Sequence, residues 1–247
     1  MARLRVALSV TCLNDAMFPE TGKAVVALLR RLGVEVEFPL AQACCGQPMV
    51  NTGYLDEAVP VVRNYVEAFA AYDAIVTPSG SCAGSARHQH RLVARRSGDP
   101  SFEEAVAGAP PTYELSEFLV DVLGVVDVGA SFPHTVAYHP TCHSLRMLRV
   151  GDRPRRLLEA VRGLRLVELP AAEECCGFGG TFAVKTAEVS VAMGSDKARH
   201  VCESGAEVLV AGDSSCLMHI GGVLSRQRAG VRVMHLAEVL EAQEGSS

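Results

Sequence analysis

An internal duplication limits what this chain can fold into more than any other feature. Residues 4–12, Leu-Arg-Val-Ala-Leu-Ser-Val-Thr-Cys, are echoed by residues 134–142, His-Thr-Val-Ala-Tyr-His-Pro-Thr-Cys. Residues 28–39 and 157–170 each run from a leucine pair through an apolar alternation to a proline. Each copy then reaches a triplet, Cys44-Cys45-Gly46 or Cys175-Cys176-Gly177, and later a Ser-Cys ending at Cys82 or Cys216. Both close alike, on Leu115-Ser-Glu-Phe-Leu and Leu236-Ala-Glu-Val-Leu. The offset stays near constant: 130 positions from Cys12 to Cys142, 131 from Cys44 to Cys175 and 134 from Cys82 to Cys216. A period this long is a repeated domain rather than a solenoid unit. The expected division is residues 1–128 and 133–243, with a Val-, Gly- and Pro-rich joint at 125–133.

Within each copy a β-branched strand ends at the first cysteine and a helix follows, at 22–32 or 155–162. A second strand (34–38; 164–169) leads into the Cys-Cys-Gly loop. A longer helix (55–71; 186–204) then feeds a third strand (74–77; 207–211) that delivers the last cysteine. Strands alternating with helices of this length predict an α/β protein: two pseudo-symmetric tandem βαβ half-domains with small parallel sheets. In such sheets ligands gather beyond the carboxyl ends of the strands, where all eight repeated cysteines fall.

The bulk chemistry narrows the function classes. A net charge of -5 and a pI near 5.9 argue against a nucleic-acid partner, which would call for clustered Lys and Arg. The arginines of 87–96 and 153–156 lie among apolar residues at helical spacing and read as solvated helix faces. The apolar run near the start alternates as a strand does and is too brief for a signal peptide. With no stretch of about 18 uncharged apolar residues, no membrane span is expected, and the expected compartment is the cytoplasm. Nine cysteines in a reducing compartment point to metal or redox chemistry rather than to disulfides.

The candidate cofactor and metal ligands are therefore Cys12, Cys44, Cys45 and Cys82 in one half and Cys142, Cys175, Cys176 and Cys216 in the other. Four thiolates at one point repel unless a cation or cluster neutralises them, and thiolate sulfur prefers zinc, copper(I) and iron–sulfur centres. The glycine after each pair lets the backbone turn through positive φ so that both sulfurs can face one centre. Cys202 has no counterpart and reads as a small buried hydrophobe. His139 and His143 flank Cys142 without counterparts beside Cys12, which suits supporting roles. His219 is placed to donate a hydrogen bond to a cluster sulfur. No catalytic residue is assigned.

A cysteine, 30 to 40 residues, Cys-Cys-Gly, a similar gap and a final cysteine at a strand end make up the pattern of the cysteine-rich CCG domain. The chain resembles that domain in the heterodisulfide reductase B subunit, glycolate oxidase iron–sulfur subunits and anaerobic glycerol-3-phosphate dehydrogenase C subunits. It most resembles the lactate utilization protein A family, through Cys44-Cys-Gly-Gln-Pro, Pro78-Ser-Gly-Ser-Cys, Cys175-Cys-Gly-Phe-Gly-Gly-Thr-Phe and Cys216-Leu-Met-His-Ile-Gly-Gly. That resemblance implies an electron-transferring iron–sulfur subunit of a cytoplasmic complex oxidising L-lactate or another 2-hydroxy acid. It would act beside a ferredoxin-like iron–sulfur subunit and a third subunit. The implied cofactor is an iron–sulfur cluster of the 4Fe–4S kind in each half, with zinc in one or both halves as the alternative. A zinc-holding scaffold and a thiol–disulfide protein are the rival functions. The heterodisulfide reductase form ends in Cys-x-x-Cys, whereas here the first of those positions is Ser79 in one half and Asp213 in the other.

Overall fold

The computed structural model describes residues 4–244. Eight short strands form two parallel sheets of four. The first sheet has the order β2-β1-β3-β4, from β1 (Val6–Leu8), β2 (Val36–Glu37), β3 (Ala74–Thr77) and β4 (Thr112–Glu114). The second repeats it as β6-β5-β7-β8, from β5 (Thr135–His139), β6 (Arg165–Val167), β7 (Val208–Ala211) and β8 (Arg232–His235). The expected α/β architecture with two like halves is what the chain adopts. Each half carries one strand more than its sequence pattern announces. β4 is a three-residue Thr-Tyr-Glu after two prolines, and β8 is a half-exposed strand opening on arginine.

Both faces of the central strands are covered, and the period of two decides which core each side chain enters. Val6, Leu8, Ala74, Val76, Val136, Val208 and Val210 point into one core shared by the two halves. Ala7 and Ile75 point the other way, into a core of the first half with Tyr65 and Phe69. Ala137, Leu209 and Ala211 do the same in the second half with Ala198, Val201 and Ile220. The shared core also takes Ala24, Val25, Leu28 and Leu29 of the helix Pro19–Arg31 and Leu157 and Leu158 of the helix Arg153–Glu159. Leu28, with no exposed surface, contributes about 1.5–3 kcal/mol of burial.

The halves clasp each other through equivalent elements. The helix Leu236–Glu241 of the second half packs on Pro19–Arg31 of the first: Arg31 donates to the Leu240 and Glu241 carbonyls, and Thr21 donates to Glu238. Reciprocally, Arg153 pairs with Asp121 at 2.8 Å. The first residues after β3 and β7 come together across the same axis. Buried His235 caps its helix through Nδ1 and reaches the Pro78 carbonyl with Nε2 at 3.1 Å. Glu114, likewise buried, caps the first half's closing helix by accepting from the Ser116 and Glu117 amides. Its Oε1 would lie 3.6 Å from a Cβ at Gly212.

Burial raises the Glu114 carboxyl to about 7 from an ordinary 4.5, against the hydrogen bonds from Ser116 that favour its anion. A raised acid binds its proton more tightly folded than unfolded, so its stabilising contribution is complete below pH 4.5 and fades as pH rises through 7. The Glu114→Gln variant therefore gains on the native chain by up to about 3 kcal/mol between those limits. Urea midpoints of both chains across that range measure it, and a constant gap between them would contradict it.

Candidate metal centres

Each of the eight repeated cysteines lies beyond the carboxyl end of a strand. Cys12 opens the helix Cys12–Met17 behind β1, whose first turn is capped by Thr11 accepting from the Asn14 amide at 3.2 Å. Cys82 lies in the short helix Gly80–Gly84 behind β3, its amide donating to the capping Ser79 hydroxyl at 3.1 Å. Cys44 and Cys45 come from the loop after β2. Their four sulfurs meet as two pairs, Cys12 with Cys44 at 3.8 Å and Cys45 with Cys82 at 3.3 Å. In the second half Cys142 stands beside Cys175, and Cys176 beside both Cys175 and Cys216. All nine cysteines are free thiols.

The Cys-Cys-Gly triplet has the same geometry in both halves. Gly46 and Gly177 adopt φ of 83° and 90°, a region that a side chain strains. That turn points each glycine amide back at the preceding sulfur: Gly46 N–H to Cys44 Sγ and Gly177 N–H to Cys175 Sγ, both at 3.4 Å. A donated hydrogen bond favours thiolate over thiol. Cys44 is accordingly held down to about 2, first by its hydrogen bonds from Cys12 and Cys45, with the Gly46 amide adding to them. Cys175 is held down to about 2 in the same way by Cys142, Cys176 and Gly177. Cys12, Cys45, Cys142 and Cys176 are pushed up, chiefly because each shares its proton with a neighbouring sulfur and then because each is shielded from water. Each half thus offers one thiolate and a set of shared protons that a bound cation would displace.

One cavity of about 230 Å³ is lined by all eight of these cysteines. Its walls add Asn14, Gln47 and Asn51 from the first half and His143, Gly179 and Gly180 from the second, and none of its lining residues is Lys or Arg. His143 spans the halves, with Nδ1 3.5 Å from Cys142 Sγ and Nε2 3.0 Å from the Gln47 amide nitrogen. Thr52 and Thr181 meet at 2.9 Å across the seam. A larger groove lies at the opposite, amino ends of the second sheet, among Lys23, Pro133, Arg162 and Arg232, and holds no cysteine.

Ser79 and Asp213, the positions that depart from Cys-x-x-Cys, face each other rather than separate centres. The Asp213 carboxylate is 2 % exposed and accepts from the Ser79 hydroxyl at 2.5 Å, the Ser81 hydroxyl at 2.9 Å and the Thr141 hydroxyl at 2.8 Å. A buried charge needs such a set of donors. The two positions therefore bind the halves together beneath the cavity. Gly80 makes the approach possible, since a Cβ there would stand 1.9 Å from Ser144 Oγ.

The sequence comparisons agree with this geometry. The model of the CCG family, described as a cysteine-rich domain, matches residues 6–86 and again residues 136–221. Lactate utilization protein A of Geobacillus kaustophilus (strain HTA426) is 50% identical over 241 residues, which span 97% of this chain and 100% of that protein. The chain belongs to the lactate utilization protein A family. The lactate utilization protein A of Bacillus subtilis (strain 168) is 46% identical over 97% of this chain and 100% of its own. That of Oceanobacillus iheyensis is 47% identical over 96% of both. Among solved structures, a putative Asp/Glu racemase from Yersinia pestis covers 96% of each chain at 10% identity and a TM-score of 0.38, too slight a likeness to carry an argument.

In this member of the lactate utilization protein A family, the gathered thiols of a cysteine-rich domain suit metal or iron–sulfur binding. No helix among the described residues is long and apolar enough to cross a membrane. Three side chains stand elsewhere than the sequence pattern places them. Cys202 is exposed, because the buried stripe of its helix Ala187–Glu203 runs through Ser190, Gly194, Lys197, Ala198 and Val201. His219 turns from the sulfurs to the Ser190 carbonyl, 3.1 Å from Nε2. Arg87 is no free solvated charge but pairs with the largely buried Glu117 at 2.8 Å.

Proposed function

We propose that this protein is an electron-passing subunit in lactate utilization, with one iron–sulfur centre held in each half by Cys12, Cys44, Cys45 and Cys82 and by Cys142, Cys175, Cys176 and Cys216. The observation that carries the reading is the single cavity onto which both sets open. Two redox centres on one cleft give electrons an entrance and an exit without crossing the protein core.

The donor set fits a cluster. Thiolates held down by backbone amides are ready ligands, and hydrogen bonds to sulfur are among the levers that set cluster potentials. Four cysteine sulfurs make up the donor set of a 4Fe–4S group. When bound, such a group supplies one-electron transfer; the chain's own part is to hold the thiolates, donate the Gly46 and Gly177 hydrogen bonds and exclude bulk water.

A 2-hydroxy acid is a carboxylate, and the cavity lining offers it neither Lys nor Arg. The reading therefore gives substrate oxidation to a partner and electron relay to this chain, beside a ferredoxin-like iron–sulfur subunit and a third subunit. Phe182, Val184, Val189 and Val191, which follow the second Cys-Cys-Gly loop, are exposed apolar side chains. The complementation of a lactate-utilization mutant tests the assignment. The native chain is expected to restore growth on L-lactate, whereas Cys45→Ser and Cys176→Ser fail on lactate and grow normally on glucose. Full growth of both variants on lactate would sink it.

A further inference from the structure

We infer that the second centre is ligated by the imidazole of His139 as well as by cysteine, so that the two halves hold chemically different centres. This rests on the proposal above that metal occupies both. Among the described residues, the one group of three metal-ligating side chains whose donor atoms all lie within 4.8 Å of one another is His139, Cys176 and Cys216. All three are buried, and His139 has no exposed surface.

Neither ring nitrogen meets hydrogen-bond distance and angle within the described residues, and the backbone partner beside it, Ala172, is a marginal one. A neutral imidazole carries one donor and one acceptor, and leaving both buried and unpaired costs about 1–3 kcal/mol for each. Native structures keep such a group where it meets a ligand or an ion. Imidazole nitrogen suits iron and zinc alike. In the first half the repeat places Ser9 at the same position, at the end of β1, with its hydroxyl against Tyr65. Among the described residues, the one buried histidine beside that half's sulfurs, His90, is instead engaged with the Cys45 carbonyl at 2.8 Å.

A second difference points the same way. Lys197 is 1 % exposed and holds its Nζ on the Ala171 and Ala172 carbonyls, at the root of the second Cys-Cys-Gly loop. With His139 among the ligands, one of the four cysteines gives up its place; exchanging an anionic thiolate for neutral imidazole raises a cluster's potential, and Lys197 nearby adds to that. The second centre is therefore the electron sink of the pair.

The test uses the full chain, reconstituted anaerobically with iron and sulfide, reduced with dithionite and labelled with nitrogen-15 histidine. Pulsed electron paramagnetic resonance is expected to show the nitrogen coupling of a directly bound imidazole. His139→Gln loses that coupling. His139→Cys, which offers a thiolate instead, loses the coupling while keeping its iron, and the higher of the two midpoint potentials moves negative. His143→Gln, the control at the other nearby histidine, keeps it. No coupling in the native chain, or coupling that survives His139→Gln or vanishes with His143→Gln, overturns the inference. If the chain takes up zinc and no iron, the electron-transfer reading falls separately. X-ray absorption at the zinc edge then decides the ligand: nitrogen with sulfur upholds His139, and sulfur alone removes it.

Discussion

Cys45→Ser is expected to lose about half of the bound iron and sulfide while leaving the second half's centre intact. The serine hydroxyl is a far poorer ligand for iron than a thiolate, and Cys45 is the most buried sulfur of its set, paired with Cys82 at 3.3 Å. Losing the centre also removes its contribution to folding. A metal bound only by the folded state stabilises by its whole binding free energy, about 10–16 kcal/mol for structural zinc in small domains. The variant's cysteine-lined wall should therefore open well before the rest of the chain in urea. The mirror variant, Cys176→Ser, should lose the other half of the iron, and the two losses should add. Iron analysis of the three proteins checks this. Loss of all iron from either single variant would mean that the sets build one shared centre.

Gly177→Ala is the second large effect and should exceed Gly46→Ala, although the triplets are the same in sequence. Both positions need φ near 90°, which costs an alanine about 1–2 kcal/mol. At Gly177 the new methyl would also stand 2.7 Å from the Ser190 carbonyl oxygen and 2.8 Å from Met193 Cβ. At Gly46 it meets two valine methyls, Val62 Cγ2 at 3.2 Å and Val61 Cγ1 at 3.8 Å. Backbone cannot step aside as a valine methyl can, so crowding adds about 1–3 kcal/mol at Gly177 and little at Gly46. Any relaxation there moves the Gly177 amide off Cys175 and weakens its hold on thiolate. Chemical denaturation of the reduced, metal-free chains, with iron retention of the loaded ones, ranks the two. Equal losses would show that the helix Ala187–Glu203 gives way freely.

Much of this was legible in the letters, for identifiable reasons. The duplication shows because the flanks of Cys12 and Cys142 repeat along with the cysteines. The meeting of thiols 30 to 40 residues apart follows from one rule of parallel sheets, that loops at the carboxyl ends share an edge. The fourth strands escaped because Thr112–Glu114 and Arg232–His235 are short and carry charge, as edge strands do. The pairing of Ser79 with Asp213 has a signal in the repeat itself. Where a repeat folds about a two-fold axis, an element near the axis meets its own copy, so two equivalent positions carrying a hydroxyl and a carboxylate are candidates to bond. His139 has no counterpart in the other half, which points away from a ligand role, but asymmetry within a repeat is itself informative. The placement of Cys202 and His219 turns on which face of a helix is buried, and one residue's shift along the helix decides that.

Iron and acid-labile sulfide, counted in the full chain purified without oxygen, bear most directly on whether each half holds an iron–sulfur centre. About four of each per half are predicted, with a brown colour that bleaches reversibly on reduction. A colourless protein carrying zinc and no sulfide would contradict the account.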